Sequence, residues 1–458
     1  MEETGRREAA LDRDLTKGNV TRHLLILSWP MIINGSLYML GPAYDMIWIG
    51  KLGAIPIAGV GVAGMVVSLV QTVGMGLITG ARAIIARFVG AGDFDSANYV
   101  VRQALVVSTA YGIIMTVPGI ILAEPLLRLF GLETDVLPQG VAYLRTFALV
   151  WTPMSLYWMM GMGVMMGSGD AVTPLKIIIL VRFAHLVICP FVILGWWVFP
   201  RLGVSGAALT HLIAESLGMV ITLWVLLTGQ TRLQLSLKNF RLDGNIIWRI
   251  VRIGVPASVM SAQSNFGHMI LMWIMARFGT MAIAAHSLGQ RVDMVLHMPS
   301  WGLSMAAGVL VGQNLGAGQP GRAERSGWLA AGLVEGFMLI CSVVILLWAE
   351  NIIGIFSTEP DLVEIASTFL RIAAVGYLVH GFTAGLQYCI TGAGDTLPPM
   401  VISLITMWVL QLPLAFFLPE VTNLGVYGVR WATVSSMVFG AVAYVTYFRL
   451  GRWKYKRI

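Results

Sequence analysis

Out of 23 acidic residues, Asp45, Glu215, Asp293 and Glu335 are the ones that fall inside long apolar stretches. An ionisable group costs several kcal/mol to hold at membrane depth unless it is paired or hydrated, so each is a candidate for ion handling or for a buried polar contact. Asn34, Tyr38, Gly41 and Asp45 follow one another at spacings of four, three and four, which aligns them on one face of a helix. A second stripe, His286, Gln290, Asp293 and His297, has the same spacing, while His268 follows Ser261 and Asn265, and His380 precedes Thr383 and Gln387. His211 and Glu215 share a helical face, and Arg182 on the preceding run is placed to pair with Glu215. Carboxylates and imidazoles together can take up and release protons or bind a cation.

The elements that position these groups are set by composition. Charged residues make up 12% of the 458 and hydrophobic ones 57%, with a mean hydropathy of +0.78. An ordinary soluble protein carries roughly 25% charged residues, so this chain lacks the polar surface to coat a water-soluble particle. Disorder, a disulfide scaffold and a secreted enzyme are excluded, and Cys189, Cys341 and Cys389 all lie in apolar runs. At about 20 residues per membrane-spanning helix there is room for about twelve spans. They are placed at 23–49, 55–80, 99–122, 139–165, 174–198, 203–228, 249–275, 281–311, 326–348, 362–390, 398–418 and 424–448. The segmentation expected is a tail over 1–22, a first six-helix lobe over 23–228, a linker over 229–248, a second lobe over 249–449 and a basic tail over 450–458.

Most of the 30 Lys and Arg residues fall at the termini and in the even-numbered loops. By the positive-inside rule both termini are cytoplasmic, so the net charge of +7 needs no nucleic-acid partner. Arg430 is expected near an opposite span end, which leaves Arg182 and Arg291 as the intramembrane bases, with Arg291 pointing away from Asp293. The basic C-terminal residues 450–458 are a candidate patch for anionic lipid headgroups.

The halves repeat. Trp29-Pro30 and Val255-Pro256, Leu52-Gly53-Ala54 and Phe278-Gly279-Thr280, Gly90-Ala91-Gly92 and Gly316-Ala317-Gly318, and Leu144-Arg145 and Leu370-Arg371 all keep an offset of 226. Gly167-Ser168-Gly169-Asp170 and Gly392-Ala393-Gly394-Asp395 keep one of 225. Two units of six spans run in the same direction, as in transporters built from parallel repeats.

The opening LSWPMIINGSLYMLGPAYDMIWIGKLG, the loop ARFVGAGDFDSAN and the turns GSGDAVTP and GAGDTLPP occur in order along the chain. With them the chain resembles the multidrug and toxic compound extrusion (MATE) family over nearly its whole length. The resemblance implies an all-α polytopic membrane protein with twelve transmembrane helices in two pseudo-symmetric six-helix bundles around a central cleft. It further implies a secondary antiporter that expels amphipathic, often cationic compounds in exchange for protons or sodium ions. Asp45 matches the family's acidic residue in the first span. Where many proton-coupled relatives carry Asn and Asp before a Pro in span five, this chain has His185 and Cys189 before Pro190. The acids expected for sodium coupling near Ser264 and near His380 are absent, and Asp293 with the histidines is a candidate replacement.

Cation coupling is therefore expected at Asp45, Asp293, His297, His268 and His380, and substrate contact at Asn34, Tyr38, His185, Glu215, His286 and Gln290. No catalytic residue, resident metal or cofactor is expected beyond the coupling ion. The expected partners are small amphipathic substrates and membrane lipids, around a monomer in the cell membrane. Two alternatives fit less well. A lipid-linked precursor flippase would need a strongly basic cleft for pyrophosphate, and a prenyl-transferring membrane enzyme would need clustered acids for metal, yet no DDxxD motif occurs. Gly59 to Gly64 fits GxGxxG but lies within a span with no preceding strand, which points to helix packing. Asp93 and Asp95 lack the partner acids of a metal site.

Overall fold

A computed structural model describes residues 14–197, 200–236, 238, 240–456 and 458. Most of the expected N-terminal tail, residues 1–13, lies outside the described residues, as does Arg457. Helices and turns account for the ordered structure among the described residues, because a backbone in hydrocarbon must satisfy its N–H and C=O groups within its own segment.

The first half of the chain contributes α1 (Val20–Gly50), α2 (Ala54–Gly90), α3 (Phe94–Ile121), α4 (Ala123–Leu129), α5 (Leu137–Ala148), α6 (Trp151–Trp158), a π-helical turn at Met159–Met165, α7 (Val172–Leu194) and α8 (Gly203–Leu227). The second contributes α9 (Gly244–Ala276), α10 (Thr280–Gly316), α11 (Pro320–Gly354), α12 (Pro360–Tyr377), α13 (His380–Gly392), α14 (Leu397–Leu404), a π-helical turn at Ile405–Gln411, α15 (Leu412–Val421) and α16 (Tyr427–Leu450). Among the described residues nine continuous helical stretches are long and apolar enough to cross a membrane, and the pair α12 and α13, bent by 53°, makes a tenth. The other two of twelve crossings are α9, whose apolar run is diluted by Ser261, Gln263, Asn265 and His268, and the interrupted run from α5 through α6 to Met165. The protein is thus an integral multi-pass membrane protein.

Several helices outrun the expected spans. α2 continues ten residues past the expected end at 80, carrying Arg82 inside; that side chain is 8% exposed, so the charge there ends the apolar run without ending the helix. α9 begins at Gly244, within the stretch expected to be linker. Asp93 caps α3, accepting from the Ser96 amide at 2.9 Å, and the hydrogen bonds from the Ser96 hydroxyl and amide hold its carboxyl below the usual carboxylate range. That accounts for the Asp93–Asp95 loop as a helix start.

The repeat is legible in the backbone. α2 and α10 are each 37 residues long and are preceded by Gly53 and Gly279 at φ 117° and 93°. Gly92 and Gly318 follow them at φ 74° and 70°. Such positive φ angles are strained for a residue with a Cβ.

Two compact units result among the described residues, one built on Ile33–Ser258 and the other on Leu15–Ile32 with Val259–Ile458. The expected lobe limits at 228 and 249 follow the chain, whereas the units divide within helices α1 and α9, in each case two residues beyond a proline, Pro30 or Pro256. The start of each of these helices therefore packs with the opposite half of the sequence. Close approach makes this possible. In the first unit a Cβ on Gly76 would lie 2.5 Å from the Gly254 carbonyl oxygen, and in the second a Cβ on Gly302 would lie 2.7 Å from the Ile32 amide nitrogen. The two glycines are themselves a repeat pair. Because backbone, which cannot rotate away, opposes both positions, Gly302→Ala is expected to destabilise the protein by about 1–3 kcal/mol, read as a lower melting temperature in detergent. An unchanged melt would show that α1 and α10 are not held this close.

The last residues also belong to the second unit. Trp453 is fully buried and stacks on Phe448 with ring centroids 4.6 Å apart. Lys454 pairs with Glu324 at 2.7 Å and Lys456 with Asp395 at 3.1 Å. Two of the bases expected to be available to lipid headgroups are thereby engaged with the protein.

Candidate functional site

In the first unit three helices converge on Asp45. α1 contributes the face with Asn34, Tyr38, Gly41 and Asp45, of which Asn34, Gly41 and Asp45 are buried. α7 contributes Arg182, His185 and Cys189, roughly one turn apart, and α8 contributes His211 and Glu215 at i and i+4. α7 and α8 pack along each other, so these two rows face the same space. Gly41 leaves room for the bases: a Cβ there would stand 2.7 Å from Arg182 Nη1 and 3.6 Å from His211 Cε1.

His211 Nε2 lies 2.6 Å from Asp45 Oδ2, and His185 Nε2 lies 3.2 Å from Oδ1. The Cys189 thiol donates to the same Oδ1 at 3.3 Å. Arg182 Nη2 donates to Glu215 Oε1 at 2.6 Å, the pairing expected from the sequence. Arg182 is 3% exposed and Glu215 1%. Since Arg182 and Glu215 neutralise one another, the charge of Asp45 is left to two imidazoles, either of which can hold a proton. The structure thus places His185, His211 and Cys189 together in direct contact with Asp45.

A cavity of about 220 Å³ inside the first unit adjoins this cluster. Tyr38, Gln71, Trp158, Arg182, His211 and Glu215 are among its lining residues. The Tyr38 hydroxyl donates to Gln71 Oε1 at 3.3 Å, and its ring meets Trp158 edge-on at 4.7 Å. The one carboxylate in its wall, Glu215, is paired with Arg182, so the cavity presents mainly aromatic and apolar surface.

In the second unit Asp293 takes different partners from those expected. The Tyr377 hydroxyl donates to its Oδ1, and Arg430 Nη1 lies 3.8 Å from its Oδ2. Arg430, expected near a span end, does lie in the first turn of α16, which starts at Tyr427, but it is turned inward: it is 6% exposed, with its guanidinium 5.0 Å from the Phe369 ring centre. His297 and His380 meet each other, Nδ1 to Nε2 at 3.1 Å. His286 is buried, Gln290 is half-buried and His268 is exposed. Among the described residues, the hydrogen-bond and ion-pair partners of Asp293 are Tyr377 and Arg430, not the histidine stripe. Arg291 is exposed, as its different helix face requires.

Glu335 has a local role. The break before His380 exposes the first amides of α13, and Gly381 N donates to Glu335 Oε2 at 2.9 Å. A carboxylate at a helix N-terminus satisfies otherwise orphaned donors.

Sequence reasoning left Tyr377 and Arg430 off the candidate list. A lone Arg in the first turn of an apolar span was a usable signal for the latter; a Tyr at the end of α12 offered none.

Comparison with known proteins agrees along the whole chain. The MatE family model matches residues 30–191 and 256–417. A probable multidrug resistance protein NorM of Thermotoga maritima is 25% identical over 453 residues, covering 96% of this chain and 94% of its own. A probable multidrug resistance protein YoeA of Bacillus subtilis is 24% identical, covering 98% of each. Among solved structures, a MATE protein in a bent conformation superposes with a TM-score of 0.89 at 23% identity over 96% of each chain.

Proposed function

The chain belongs to the MatE family, and on that premise we propose that it is a multidrug efflux transporter, an antiporter that exports amphipathic, often cationic compounds by alternating access in exchange for a coupling ion. The observation that carries this reading is Asp45, a buried carboxylate 2.6 Å from His211, which also lines an aromatic cavity beside it. One carboxylate that is held alternately by a proton or by a cationic substrate gives obligatory exchange, because occupancy by one excludes the other. Nitrogen and sulfur neighbours suit a proton better than Na⁺, since hard cations take several oxygen ligands. The match to the MatE family model and to relatives named as multidrug resistance proteins supports a transporter rather than an enzyme. The distribution of Lys and Arg supports cytoplasmic termini.

The test is transport of a fluorescent organic cation by the purified protein in liposomes, with pH and sodium gradients imposed separately. Uptake driven by the pH gradient alone is expected. The absence of exchange under either gradient would remove the antiporter reading.

The same assay discriminates between the units. Asp293→Asn is expected to leave gradient-driven exchange within about twofold of the unaltered protein while lowering its melting temperature, because Arg430 loses its ionic partner. A loss of exchange as large as that from altering Asp45 would place coupling in the second unit instead.

A further inference from the structure

We propose that Asp45, His185, Cys189 and His211 form a binding site for a divalent transition-metal ion of the Zn²⁺ and Co²⁺ type. The donor set comes from three helices, α1, α7 and α8, so the bundle itself holds it in place. Donor atoms of Asp45, His185 and His211 all lie within 4.8 Å of one another, and all three residues are buried. Cys189, one turn beyond His185 on the same face of α7, has its sulfur 3.3 Å from Asp45 Oδ1 but outside that 4.8 Å group, so its side chain must turn toward the ion to complete the set. A tetrahedral ion with bonds of about 2.0–2.3 Å holds its ligand atoms roughly 3.3–3.8 Å apart. The contacts of 3.2 Å from His185 and 3.3 Å from Cys189 are close to that edge, and the 2.6 Å contact from His211 needs to lengthen by about 1 Å.

His185 supplies the independent observation. It is fully buried, yet among the described residues neither ring nitrogen has a hydrogen-bond partner of adequate geometry. Its Nε2 lies 3.2 Å from Asp45 Oδ1 without the geometry of a hydrogen bond, the relation of two ligands that share an ion. Charge favours the same ion. A divalent cation is balanced by the Asp45 carboxylate and a Cys189 thiolate, while Arg182 beside them is already neutralised by Glu215 at 2.6 Å. Two imidazoles, a thiol and one carboxylate select borderline or soft metals over Mg²⁺, Ca²⁺ or Na⁺. His211 also forms part of the wall of the 220 Å³ cavity, so the site adjoins space that an ion can occupy.

The site concerns the carboxylate assigned to coupling but does not depend on that assignment, because binding is read on the resting protein. The experiment is titration of the purified full-length protein in detergent, freed of any histidine tag, with Co²⁺ alone. About one equivalent is expected to produce visible absorption of tetrahedral intensity together with a near-ultraviolet sulfur-to-cobalt charge-transfer band, and Zn²⁺ should bleach both. Cys189→Ser should lose the charge-transfer band and keep weaker visible bands, and His185→Asn should weaken binding by at least about tenfold. Absence of the bands in the unaltered protein overturns the proposal, as do bands unchanged in both variants. A protein that binds Co²⁺ here but exchanges nothing in liposomes keeps the site and loses the transport reading; the converse result removes the site alone.

Discussion

Asp45→Asn is expected to reduce the substrate gradient that an ion gradient can sustain to about unity. With one ion exchanged per substrate molecule, each tenfold ion gradient supplies about 1.4 kcal/mol and can hold about a tenfold substrate gradient. Asparagine has nearly the same shape as aspartate; its one oxygen can accept from Cys189 while its amide N–H donates to His211 Nε2, so the packing of α1 against α7 and α8 should survive. What it cannot do is hold a proton or balance a cation. The variant should therefore retain the elution profile and melting temperature of the parent while losing accumulation in liposomes under every imposed gradient. Downhill equilibration can persist, which separates loss of coupling from loss of the pathway. Full accumulation by Asp45→Asn would remove this carboxylate from the mechanism.

Local groupings within the site could be read from the sequence, but their assembly could not. Asp45 stood out because a charge in an apolar helix needs a reason, and its alignment with Asn34, Tyr38 and Gly41 follows from helical period alone. The Arg182 and Glu215 pair was likewise deducible, since a buried base seeks a buried acid and α7 and α8 are consecutive. That His185, Cys189 and His211 meet Asp45, 140 residues or more away along the chain, depends on how α1 packs, and periodicity carries no information on that. The partners of Asp293 were hidden for the same reason: its helix displays histidines above and below it, but Tyr377 and Arg430 come from α12 and α16. The repeat fared better. The offset of 226 in the glycines reappears as equal lengths for α2 and α10, although the spans expected for them, 55–80 and 281–311, were unequal, because residues that must adopt positive φ mark where helices begin and end better than the apolar run does. The division of the units inside α1 and α9 carried no compositional mark beyond Pro30 and Pro256.

Glu215→Gln is expected to destabilise the protein by about 3–5 kcal/mol, the range found when one partner of a buried ion pair is removed. Arg182 would keep its charge at 3% exposure, and its Nε and Nη1 already lack hydrogen-bond partners among the described residues. The adjoining cavity, which both side chains line, can admit water to the abandoned guanidinium and draws the expected cost toward the lower end of that range. Thermal unfolding in detergent measures it, and the double variant Arg182→Met with Glu215→Leu should recover most of the loss, since apolar replacements remove both desolvation penalties together. The two measurements separate structure from cargo recognition. If the double variant regains stability and also exports organic cations, the pair serves to hold α7 against α8 and to neutralise Arg182 beside Asp45. If it regains stability but no longer exports them, Glu215 contacts the cargo directly, and the cavity wall that it shares with Tyr38 and His211 is where that contact is made. A Glu215→Gln protein that melts with the parent would mean that Arg182 is hydrated in the membrane, and that the ion pair contributes little to the fold.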